Sequence, residues 1–130
     1  MAATAAIGGE AEETALERRS NGHFYVTASV NGEPVEFVVD TGASTVALTI
    51  KDAERIGIPF DPADFEIIGT GASGPVRGAR VTLDSVDIDG KDVNHVEGAV
   101  LKGLEVSLLG QSYLSQIGGV EMGGDEMVLR

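Results

Sequence analysis

From His23 onward, apolar residues fall in short runs separated by turn residues, the arrangement of strands rather than long helices. Phe24, Tyr25, Val26 and Val30 predict one strand and Val35 to Val39 a second. Asn31-Gly32 between them predicts a tight hairpin, because both central residues of that turn need positive φ. Thr49, with Asp52 three residues on, predicts a helix N-cap, and Gly57 ends the helix TIKDAERIG. Two prolines in IPFDPADF predict a loop. FEIIGTGASGPVRGARVTL reads as a short strand, a glycine-rich turn and another strand. Val, Leu and Ile then alternate around Asp89-Gly90, a second hairpin signal. Leu104 to Leu109 predicts an apolar strand ending at Gly110, Ser112 to Ile117 one or two helical turns, and VEMGGDEMVLR a last hairpin. About eight short strands and two short helices make the chain mostly β.

The residues before this pattern, 1–22, are small, charged and aperiodic, which predicts a flexible N-terminal segment ahead of one domain over 23–130. Val46, Ile50, Leu83, Val86, Leu108 and Leu109 are the expected core. Composition narrows the partners. The net charge of −12 argues against nucleic acid and against an anionic membrane surface, both of which require clustered Lys and Arg. With no cysteine, the chain has no disulfide, thiol nucleophile or thiolate metal site. The start MAATAAIGGEAEETALERRS has neither the basic region nor the apolar run of a signal peptide.

One acid breaks the pattern. In FVVDTGASTVAL an aspartate, Asp40, ends the most hydrophobic strand, followed by Thr41, Gly42, Ala43 and Ser44. A carboxylate there leaves the sheet at a fixed position, Gly42 lets main chain pass close to a ligand, and the Thr41 hydroxyl can lock the turn. Taken alone, Asp-Thr-Gly serves equally well as a turn-capping aspartate. Other motifs weaken on inspection. Gly69-x-Gly71-x-x-Gly74 matches a dinucleotide fingerprint, but Pro75-Val76-Arg77-Gly78 leads into a strand where that fold needs a helix. The acids around Gly90 lack the final bidentate ligand of a calcium loop, and His23 and His95 have no ligand spacing. No metal or cofactor is expected. Arg77 and Arg80 are expected to be solvated, the alternatives being a contact to substrate or to acids of a second subunit.

Asp40-Thr41-Gly42-Ala43-Ser44 resembles the active-site loop of the aspartic proteases that include pepsins and retropepsins. Leu108-Leu109-Gly110 resembles the strand that crosses beneath that loop in this family and leads into a short helix, here Gln111 to Ile117. Over residues 23 to 130 the chain is most similar to bacterial, single-lobe, retropepsin-like members. The resemblance implies a closed retropepsin-like barrel and a substrate-covering flap at Ile68, Gly69, Thr70, Gly71, Ala72, Ser73 and Gly74. It further implies Asp40 as the catalytic acid, Ser44 bonding near it, and termini of two subunits interleaved in one sheet. Relatives of this kind are often tethered to the bacterial inner membrane and face the periplasm.

The chemistry of such a site requires two carboxyls, because one must activate water while the other protonates the leaving amide. Asp84-Ser85-Val86 lacks the glycine, so the chain holds one such loop. A two-fold homodimer supplies the second Asp40. The expected activity is cleavage of a protein or peptide bound in extended form, without covalent intermediate or cofactor. The alternative is a retropepsin-like module that dimerises or binds peptides with little or no catalysis.

Overall fold

In the computed structural model, residues 11–71 and 73–130 are described. The strands are β1 (Thr14–Glu17), β2 (Tyr25–Val30), β3 (Glu33–Val39), β4 (Val46–Thr49), β5 (Glu66–Gly71), β6 (Gly74–Ile88), β7 (Lys91–Leu101), β8 (Ser107–Leu109), β9 (Val120–Gly123) and β10 (Glu126–Leu129). Helix α1 (Ile50–Ile56) follows β4, and α2 (Gln111–Leu114) follows β8. Hydrogen-bonded neighbours run β2-β3-β8-β4-β7-β6, and a further β2–β6 pairing closes these six strands into a barrel. β5 lies outside the ring, paired only along the first part of β6.

Local chemistry sets the ends of these elements. Asn31 and Gly32 take φ of 52° and 86°, and Asp89 and Gly90 take 52° and 84°, so both hairpins turn as the dipeptides predict. Thr49 caps α1 by accepting a hydrogen bond from the Asp52 N–H at 2.9 Å, and Gly57 ends the helix in the left-handed region. Val30, Val35, Phe37, Val46, Leu48, Leu83, Val86, Val96, Val100 and Leu109 are buried inside the barrel, so inward side chains of alternating residues make the core. Ile50 and Leu108, expected there too, are only half-buried.

Three further differences separate the pattern from the fold. Leu104 to Val106 lie outside the strand, which is confined to Ser107–Leu109 because Gly103, at φ 83°, turns the chain just before them. The proline-rich loop contains a single 3-10 turn, Pro62–Asp64, capped by Asp61; Pro62 sits at the first position, where no N–H is needed. The largest difference is at the N-terminal segment. Thr14–Glu17, read from sequence as flexible, form β1 and pair antiparallel with β10, Thr14 opposite Leu129 and Glu17 opposite Glu126.

Side chains distant in sequence hold β1 in place. Lys91 is buried, and its ammonium donates to the Glu12 carbonyl and, at 2.8 Å, to the Thr14 hydroxyl. The Lys91 carbonyl in turn accepts from the Tyr113 hydroxyl at 2.7 Å, and burial pushes that phenol's pKa upward. Arg18 donates to the Gly124 carbonyl and Asp125, and its guanidinium lies 4.7 Å over the Phe24 ring. The result is a second, three-stranded sheet in the order β1-β10-β9, with Leu16, Met127 and Leu129 packed on the core.

Candidate active site

Asp40 sits where β3 leaves the barrel, and its position follows from the strand beside it. β3 and β8 run parallel with Val38 beside Leu108 and Val39 beside Leu109. The Asp40 N–H extends that ladder by donating to the Leu109 carbonyl at 3.0 Å. Beyond it the chain doubles back: the Ala43 N–H donates to the Asp40 carbonyl at 3.1 Å, and the Gly42 N–H donates to Asp40 Oδ1 at 3.0 Å. One carboxylate oxygen is therefore fixed by main chain. Among the described residues, Oδ2 has no hydrogen-bond donor, and the side chain is half-buried.

Gln111 holds the loop from below, its N–H donating to the Ala43 carbonyl at 2.8 Å and its side-chain amide to the Thr41 carbonyl at 3.0 Å. Gly110 makes that approach possible. A Cβ there would collide with the Thr45 carbonyl oxygen and lie 2.7 Å from that of Ala43. Leu108, Leu109 and Gly110 thus run close beneath the Asp40 loop. The turn is closed by Gly42 and Gln111, while Thr41, expected to lock it, is exposed and its hydroxyl makes no hydrogen bond among the described residues. Ser44 is exposed as well.

The far end of the loop depends on Ser112, a residue the sequence reading did not single out. Its hydroxyl accepts from the Val46 N–H at 3.0 Å and donates to the Glu97 carbonyl at 2.6 Å, joining β4 to β7. Only its place two residues after Leu-Leu-Gly marked it. Ser112→Ala is expected to destabilise the fold by about 1–3 kcal/mol, because two main-chain groups lose their partner. Chemical denaturation measures this directly.

The glycine-rich segment forms a hairpin. Ile67 pairs with Arg77, Gly69 with Val76, Thr70 with Pro75 and Gly71 with Gly74, with a bulge at Ile68. At its base, Gly78 is pinned against β7, where a Cβ would strike the Val100 carbonyl and lie 3.2 Å from Ile68 Cδ1. Beyond the base, Gly69, Thr70, Gly71, Ser73 and Pro75 are exposed and Gly74 takes φ 112°, while Ala72 lies outside the described residues. Arg77 and Arg80 are both exposed. Among the described residues, no group of three or more His, Asp or Glu side chains is placed to hold a metal ion.

A closed six-stranded barrel, an Asp-Thr-Gly turn at the end of β3 and a Leu-Leu-Gly strand beneath it define a retropepsin-like aspartic protease fold. Residues 26–116 match the family described as "gag-polyprotein putative aspartyl protease", and the chain belongs to that family. It is similar to a retropepsin-like aspartic protease from Rickettsia conorii, with 38% identity and a TM-score of 0.76 over 92% of this chain and 90% of the other. The fold also matches the EIAV protease complexed with the inhibitor HBY-793, with 20% identity and a TM-score of 0.62 over 76% of this chain and 91% of that one. Uncharacterized proteins from Sinorhizobium sp (cobV 5' region) and Rickettsia prowazekii (strain Madrid E) are 42% and 36% identical over 92% of the chain. The chain spans about half the length of these curated relatives, 52% in each case.

Proposed function

We propose that this protein is an aspartic endopeptidase whose active site forms when two copies bring their Asp40 side chains together across a two-fold axis. The observation that carries the reading is Asp40 itself: one oxygen fixed by the Gly42 N–H, the other without a donor among the described residues, on a loop braced from below by Leu109, Gly110 and Gln111. Two such carboxyls about 3 Å apart share one proton. The ionised member takes a proton from water as that water attacks the scissile carbonyl, and the protonated member hydrogen-bonds the carbonyl oxygen. Collapse of the resulting diol breaks the C–N bond while the leaving nitrogen receives a proton from the pair, which returns to its singly protonated form. No covalent intermediate forms.

The exposed β5–β6 hairpin is suited to fold over an extended peptide as a flap. Glycines at 69, 71 and 74 give it freedom above the fixed base at Gly78, and its main chain offers the peptide a strand to pair with.

Because the pair works only in the singly protonated state, kcat/KM is expected to follow a bell in pH. Activity falls on the acid side as the pair takes up a second proton, and on the alkaline side as the shared proton leaves. A pH series on a peptide library cut by the protein tests this, and an activity that rises in one step to a plateau contradicts it.

A further inference from the structure

Six arginines stand in a chain of net charge −12, and four of them, Arg18, Arg19, Arg55 and Arg130, are ion-paired with acids. Arg77 and Arg80 are exposed and, among the described residues, in no ion pair. Strand register separates these two. Val38 lies beside Leu108, Leu108 opposite Ala47, Ala47 beside Ala99, and Ala99 opposite Arg80. They form one row across β3, β8, β4, β7 and β6, on the face turned away from the barrel core. Asp40, two residues beyond Val38, continues that face. The row therefore runs from the foot of the Asp40 loop to Arg80, and between Leu108 and Arg80 it carries only the methyl groups of Ala47 and Ala99. Arg77, three residues earlier in β6, lies on the opposite face, across from Lys102, whose N–H donates to its carbonyl at 2.9 Å.

Arg80 borders a cavity of about 170 Å3, which it lines with Thr45, Val81, Thr82, Glu97 and Gly98. Its guanidinium is a planar fork of donors that matches a carboxylate, and the Thr45 and Thr82 hydroxyls add two more donors. Glu97 is the one acid of the lining, and Arg80 is not paired with it. Three donor groups against one carboxylate favour a ligand that accepts.

We infer that Arg80 selects substrates carrying an aspartate or glutamate at a set distance from the cleaved bond. This rests on the endopeptidase reading above and names a feature of the substrates. Three strand steps of about 4.8 Å separate Leu108 from Arg80, about 14 Å in all, and an extended peptide advances about 3.4 Å per residue. The acid is therefore expected about four residues from the cleaved bond. A two-fold axis at Asp40 puts one Arg80 toward each end of the cleft, so the preference recurs on both sides of that bond.

A randomised peptide library cut by the protein, with the cut sites read by mass spectrometry, tests this. Wild type is expected to cut peptides with Asp or Glu at that position roughly tenfold faster than their Asn or Gln counterparts. Arg80→Gln should bring the ratio to within about twofold, and Arg80→Glu should turn the preference toward Lys and Arg. Glu97→Gln should enlarge the preference for acids, since a like charge leaves the cavity. Lys102→Gln, which removes the same charge from the opposite face, should leave the profile as in wild type. Arg80 is exposed, so its variants should unfold at the wild-type temperature. Cleavage by wild type without an acid preference near that position, or a preference that survives Arg80→Glu, overturns the inference and leaves the Asp40 pair standing. A wild type that cuts nothing in the library overturns the endopeptidase reading and this one with it.

Discussion

Asp40→Asn is expected to lower peptide cleavage by at least about 1,000-fold while dimerisation and thermal stability stay close to wild type. The amide replaces one carboxylate oxygen by NH2, which donates where water must be deprotonated, so the pair loses both its base and its shared proton. Little else depends on the charge. Asp40 is half-buried, its backbone carries the ladder bond to Leu109, and among the described residues its side chain is bonded only by the Gly42 N–H, which an amide oxygen also accepts. The experiment compares cleavage profiles of wild type and variant on one peptide pool, with sedimentation of both. Unchanged cleavage by the variant would transfer the chemistry elsewhere. An inactive wild type that still dimerises and holds peptides would favour a binding module.

The second large effect is structural. Gly110→Ala is expected to cost about 3 kcal/mol or more, because the new methyl meets two main-chain carbonyls, those of Thr45 and Ala43, neither of which can rotate away as a side chain would. In thermal unfolding that corresponds to a fall in Tm of roughly 10 °C. The damage also reaches Asp40, since relieving the clash means lifting the loop from Gln111. Activity at a temperature where the variant is still folded should therefore drop as well. A variant as stable as wild type would mean that the strand does not run so close beneath the loop.

How much of this was legible beforehand depended on whether the signal was local. The Asn31-Gly32 and Asp89-Gly90 turns, the Thr49 cap and the Gly57 stop were all readable, because each is dictated by the φ or the hydrogen bond of the residue itself. Asp-Thr-Gly and Leu-Leu-Gly were readable as motifs, and their meeting follows from a parallel pairing that joins residues near 38 to residues near 108. Long-range pairing of this kind leaves little trace along the chain, which is why Ser112 passed unnoticed. β1 was hidden for the same reason. Four residues in a charged stretch carry little strand signal, and what holds them is Lys91 and a partner strand at the far end of the sequence.

That pairing has a consequence for how the molecule comes into being on the ribosome. β1 emerges long before β10, the strand it needs, so throughout synthesis its backbone has no native ladder to join. The barrel can close first, since β2 to β8 lie between the two. The β1–β10–β9 layer must then form after the barrel strands have been made, joining a segment that precedes them to one that follows them.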